Sequence, residues 1–209
     1  MQGLSPVECL AIVSSSLIAL VGVRYCVKIV YNKVGTITTW MIFELGAGMS
    51  LITYFTGKQH SIVSSITNVT DGFFITFILV TLFVKRRGEK IVFSANEKWC
   101  LKIAIAALIV WAITRTSWVG VAGFQIVMIV AYGPTFERIR RWEEPGAPEP
   151  SETWGVNVVA AILGVVIAVA NQDYVAMLYP LRAVVLCTVV IVLIERCKKR
   201  NSHRSSIQA

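Results

Sequence analysis

Apolar runs of about 20 residues, the length a helix needs to cross a hydrocarbon core, follow one another along the whole chain. Hydrophobic residues make up 56% of the sequence and charged residues 15%, against about 25% charged in a typical soluble domain. The gaps between runs leave no room for a separate soluble domain. Backbone amides in hydrocarbon must pair within their own helix or within a closed barrel. These runs are much longer than barrel strands and lack strict alternation. They predict an all-α polytopic membrane protein with seven transmembrane helices, at 7–26, 37–56, 61–84, 100–115, 117–136, 154–171 and 175–194. The third has the least sharp start, because Ser61 to Asp71 is rich in Ser, Thr and Asn. The fourth and fifth touch around Arg115, Thr116 and Ser117, which demands a tight turn or one fused helix.

The net charge of +8 would suggest nucleic acid in a soluble protein. Here the cations sit at helix ends. With the N-terminus outside, the inner segments hold Arg24, Lys28 and Lys33; Lys85, Arg86, Arg87, Lys90 and Lys98; Arg138, Arg140 and Arg141; and Arg196, Lys198, Lys199, Arg200 and Arg204. These are 16 of the 20 basic residues. Outside remain Lys58 and Arg115; Lys102 and Arg182 fall within or at the start of helices. The asymmetry predicts an odd helix count and a cytoplasmic C-terminus, in a membrane such as the bacterial inner membrane. It implies contact with lipid headgroups and no nucleic-acid partner.

The segment Glu143 to Glu152 (EEPGAPEPSE) reads as a solvated, proline-stiffened loop, and Asn201 to Ala209 as a disordered tail. The first run follows no positively charged stretch and has no clear cleavage site, so it reads as a retained helix. Cys9, Cys26, Cys100, Cys187 and Cys197 form no C-x-x-C pair and suggest neither a disulfide framework nor a metal site. No cofactor is implied.

The chain contains a weak internal repeat. Thr38, Thr39 and Trp40 open the second helix; Glu152, Thr153 and Trp154 open the sixth. A basic segment precedes each, and a short turn with a further helix follows: Gly57, Lys58 and Gln59 in one half, Asn171, Gln172 and Asp173 in the other. The fourth helix is left over. One extra crossing restores the orientation of the second triplet, so the two become parallel repeats about an axis along the membrane normal. The units are 1–96, the linker 97–116, and 117–209 with the tail.

This 3+1+3 order resembles the PQ-loop proteins, whose SWEET and SemiSWEET branches carry sugars, and is most similar to uncharacterised bacterial PQ-loop-like membrane proteins. The family's signature is a Pro-Gln near the inner end of each repeat's first helix, then a basic segment, then a polar residue opening the second. Here Pro134-Thr135 stands at that point, followed by Arg138, Arg140 and Arg141, then Ser151 and Trp154. The comparable first-half stretch, Val21 to Arg24, has no proline. Nicotinamide-riboside carriers share the same helix order, so the order does not choose a substrate. What the resemblance implies is sugar-like transport, with the solute between the units.

Charges deep in a bilayer cost about 2.5–3.5 kcal/mol on insertion scales and normally face protein or water. Asp71 and Arg182 lie on the third helices of the two halves, and are expected either to pair or to line the solute cavity. Arg182 also has the option of snorkelling outward. Glu44 is the candidate proton-coupling acid; a neutral structural role uses the same position. Asn68 stands 28 residues after Trp40, as Arg182 does after Trp154. Asn68 and Asn157 suit hydroxyls on a solute, or hydrogen bonds between helices; Gln125, Tyr132 and Tyr179 are equally ambiguous. Asn68 also opens a glycosylation sequon, unusable if buried. Trp40 and Trp154 are candidate cavity walls or an inner gate, whereas Trp99, Trp111 and Trp118 read as interfacial anchors. Pro134 and Pro180 are candidate hinges. Gly46 and Gly48, Gly120 and Gly123, and Ala160, Ala161 and Gly164 suit close packing, either in the core or at a homo-oligomer face.

The leading expectation is a carrier or facilitator of a small polar solute, passive or proton-coupled. The alternative is a non-transporting structural, assembly or receptor protein. No histidine pair or nucleophile constellation suggests an enzyme: His60 and His203 lie in a turn and in the tail.

Overall fold

The computed structural model describes residues 4–31, 35–57, 60–143 and 149–208, with side chains as far as Ser202. Lys33, Lys58, Gln59, loop residues 144–148 and the side chains of His203 and Arg204 lie outside that set. The described chain is helical: α1 (Pro6–Tyr31), α2 (Ile37–Phe55), α3 (Ile66–Lys85), α4 (Ala95–Thr114), α5 (Ser117–Ala131), α6 (Gly133–Arg141), α7 (Ser151–Ala170) and α8 (Tyr174–Gln208). Five helical stretches are long and apolar enough to cross a membrane: α1, α3, α5 with α6, α7, and α8. The protein is an all-helical, polytopic membrane protein. Apolar side chains such as Phe73, Phe77, Val84, Ile105, Ile109 and Ile113 are exposed along the outside of the bundle. A surface of this kind belongs against acyl chains rather than water.

The helix starts have local causes. The Thr36 side chain accepts from the backbone N–H of Thr39 and caps α2. Ser94 and Glu97 form a reciprocal capping box on α4. The chain leaves α4 through Arg115 in the left-handed region, at φ 53°. That residue makes the tight turn, and α4 and α5 are separate helices packed on each other.

The packing order is the main architectural fact. In the first triplet α3 lies between α1 and α2; in the second, α8 lies between α5 and α7. The triplets meet crosswise, α1 on α7 and α2 on α5. Helix α4 sits to one side, mainly against α5. Gly46 gives the α2–α5 contact its closeness, because an added Cβ would lie 2.4 Å from Met128 Sδ. Gln125 also donates to Ser50 Oγ across it at 3.0 Å. The α1–α7 contact is tied by Ser14, which donates to the Ala160 carbonyl at 3.0 Å and lies 3.2 Å from Thr67 Oγ1. Such bonds average about 0.6 kcal/mol in membrane proteins, so they fix register more than they add stability. Gly48, by contrast, faces open space.

The basic helix ends gather at one end of the bundle. Lys28 pairs with Glu152 at 3.1 Å, Arg86 donates to the Gly35 carbonyl at 2.8 Å, and Lys198 donates to Ser151 Oγ at 2.8 Å. The opposite end is tied by the Tyr54 hydroxyl, which donates to the Asp173 carboxylate.

Three expectations are corrected. The fifth segment is not one unbroken helix to residue 136: α5 stops at Ala131 and, after Tyr132, α6 starts at Gly133 with Pro134 in its first turn, where proline lacks a backbone donor. The tail is helical rather than disordered, since α8 continues to Gln208. Arg200 helps hold it, donating to the carbonyls of Arg140 and Trp142 at 2.7 and 2.5 Å. The acidic loop is not wholly solvated, since Glu149 is buried.

Candidate functional site

Between the triplets lies a small two-lobed cavity, each lobe about 40 Å³. Trp40, Asp71, Trp154 and Asn157 line both lobes, and Tyr132 and Arg182 line one of them. Helix α3 contributes Asp71 and α8 contributes Arg182. Trp40 and Trp154 enter from the starts of α2 and α7.

Asp71 and Arg182 share this cavity, yet no ion pair joins them among the described residues. Tyr179 stands between their roles. Its hydroxyl donates to Asp71 Oδ2 at 2.5 Å, and its ring lies under the Arg182 guanidinium at 4.6 Å. The Tyr132 ring lies 6.0 Å from the same guanidinium. Arg182 is 7% exposed, so it does not snorkel, and its Nε and Nη1 have no hydrogen-bond partner. The indole Nε1 of Trp154 is likewise buried without one. Asn157 Nδ2 and the Tyr132 hydroxyl both lie against Cys187 Sγ, at 3.6 and 3.7 Å.

A chain of rings closes the cavity toward the basic end. Tyr25, Trp40, Phe43, Tyr132 and Trp154 follow one another with centroids 5.1, 5.6, 5.0 and 6.0 Å apart. Beyond this layer opens a vestibule of about 380 Å³, with Trp40 and Trp154 in its wall. Its polar lining comes from both triplets. Glu149 accepts from the Tyr25 hydroxyl at 3.1 Å and forms an ion pair with Arg138. Glu97 accepts from Thr38 Oγ1 at 2.6 Å and Thr39 Oγ1 at 3.0 Å. Pro134 lines the vestibule at the start of α6.

Not every candidate residue converges. Glu44 faces α3, accepting from Thr76 Oγ1 at 2.8 Å, and lines neither lobe. Asn68 is buried with its Oδ1 unpartnered, one turn from Asp71, and also lies outside both lobes. Pro180 lies inside α8 against Gly164. Trp99 and Trp118 are on the exterior. Sequence reasoning missed Tyr25, Glu97, Glu149 and Cys187. The Ser94-x-x-Glu97 spacing was a readable capping signal; for Glu149 and Cys187 no local pattern exists.

No protein-family model, curated protein or solved structure matches the chain.

Proposed function

We propose that the protein is a carrier or facilitator that moves a small polar solute between its two helix triplets. The observation that carries this reading is the crosswise meeting of the triplets, α1 on α7 and α2 on α5, around a cavity holding buried charge. A pseudo-twofold arrangement of this kind lets two similar halves rock about a fixed central site. The seven-span, 3+1+3 reading accommodates α2 and α4 as crossings that carry Glu44, Glu97, Lys98 and Lys102. It retains the resemblance to PQ-loop proteins as its nearest analogy.

In this reading the basic end faces the cytoplasm. The vestibule is the inner mouth, and Trp40 with Trp154 form the inner gate. The Tyr54–Asp173 contact closes the outer side. The test is uptake by purified protein in liposomes, against a panel of sugars and small polar metabolites. Saturable uptake of at least one solute, slowed by cross-linking α2 to α7 near Trp40 and Trp154, is the expected result. Correctly folded protein that moves none of the panel overturns the reading and favours a receptor or assembly role.

A further inference from the structure

We infer that the central cavity takes a small monocarboxylate, with its carboxylate held by Arg182; this rests on the reading of that cavity as the solute site. The chemistry follows from what is left unused there. Tyr179 and Tyr132 cover the guanidinium at 4.6 and 6.0 Å, contacts that engage a guanidinium through ring faces and supply no acceptor lone pair to its N–H edge. Nε and Nη1 are buried without a partner. The acid that shares the cavity forms no ion pair or hydrogen bond with Arg182 among the described residues; Asp71 accepts from Tyr179.

The remaining groups point the same way. Trp154 Nε1 can only donate and is also unpartnered. Asn157 Nδ2 meets only a sulfur, at 3.6 Å. The site therefore holds surplus donors. A ligand that only accepts, with a planar pair of oxygens, matches the fork of a guanidinium. The size limit is strict: two adjoining lobes of about 40 Å³ each hold roughly six water-sized groups together, so the ligand lies across both and has about six heavy atoms. A dianion such as phosphate would bring two charges to one cation, beside the carboxylate of Asp71.

Lactate, its neutral isostere lactamide, alanine, inorganic phosphate and chloride form the test set. Binding is read by calorimetry and by intrinsic fluorescence, because Trp40 and Trp154 line the cavity. Lactate is expected to bind, with lactamide about tenfold or more weaker. Arg182→Gln should lose lactate binding and Arg182→Lys should keep part of it. Asp71→Asn should bind lactate as tightly or more tightly, because it removes a like charge. The lactate–lactamide comparison on the unaltered protein stands even if a variant fails to fold. Equal affinity for lactamide, an unchanged and monodisperse Arg182→Gln, or tighter phosphate or chloride overturns the inference. So does a preference for alanine that vanishes in Asp71→Asn, which would mark a zwitterion site. Lactate binding without flux in liposomes sinks the transport reading and leaves the carboxylate site standing. Flux of a neutral polyol, indifferent to lactate and to Arg182→Gln, does the reverse.

Discussion

At the scale of single residues, the site depends on where hydrogen-bond donors are spent. Tyr179 gives its hydroxyl to Asp71, and no ion pair joins that carboxylate to Arg182 among the described residues. Tyr179→Phe should therefore strand a half-buried carboxylate, with a loss of about 1–3 kcal/mol. Thermal unfolding in detergent measures it, and lactate should protect the variant less than the unaltered protein. Glu149 makes a second sharp case. Its side chain is 1% exposed and its partner Arg138 26%, so Glu149→Gln leaves one cation short of its acid. The pair is partly reached by solvent at the Arg138 end. The expected cost is accordingly below the roughly 3–5 kcal/mol of a fully buried pair, and the vestibule should become more open to thiol reagents at a cysteine replacing Thr38. Neither residue's environment was legible in the sequence. Glu149 sits in an acidic, proline-rich stretch, and hydropathy assigns such a stretch to water. Its burial comes from partners far apart in sequence, Tyr25 of α1 and Arg138 of α6. Asp71 and Arg182 were legible, because a charge inside an apolar run stands out by itself.

Helices and their contacts form the next scale. Small residues in an apolar run signal close approach, but the pattern does not say which of several will be used. Gly46→Val should lose about 1–3 kcal/mol through overpacking against Met128. Gly48→Ala, facing open space inside α2, should be neutral or stabilise by up to about 1 kcal/mol. Chemical denaturation of the two variants side by side checks the contrast. Helix ends were less readable than helix existence. The fifth apolar run looks continuous by hydropathy, yet it breaks at Tyr132, where Gly133 and Pro134 follow together. The composition of the last residues, polar and basic, suggests solvent. What holds them helical is a set of bonds from Arg200 to the end of α6, partners that lie about 60 positions earlier.

For the whole molecule, hydropathy and the placement of cations made the class legible: an all-helical chain within a membrane. The order of packing was not, since an apolar run carries no label for its neighbour. The topology itself is open to direct test. Reporter fusions should place the N-terminus outside and the C-terminus in the cytoplasm, and a result with both ends on one side would remove the odd helix count. The continuity of α8 bears on how such fusions behave. Its 35 residues span about 50 Å, well beyond a hydrocarbon core of about 30 Å. One helix thus carries Arg182 and, further along, Arg200 and Asn201, which are bonded to the end of α6. A bulky fusion behind Gln208 would crowd that seam on the very helix that seats the guanidinium, so purification handles belong on the opposite terminus.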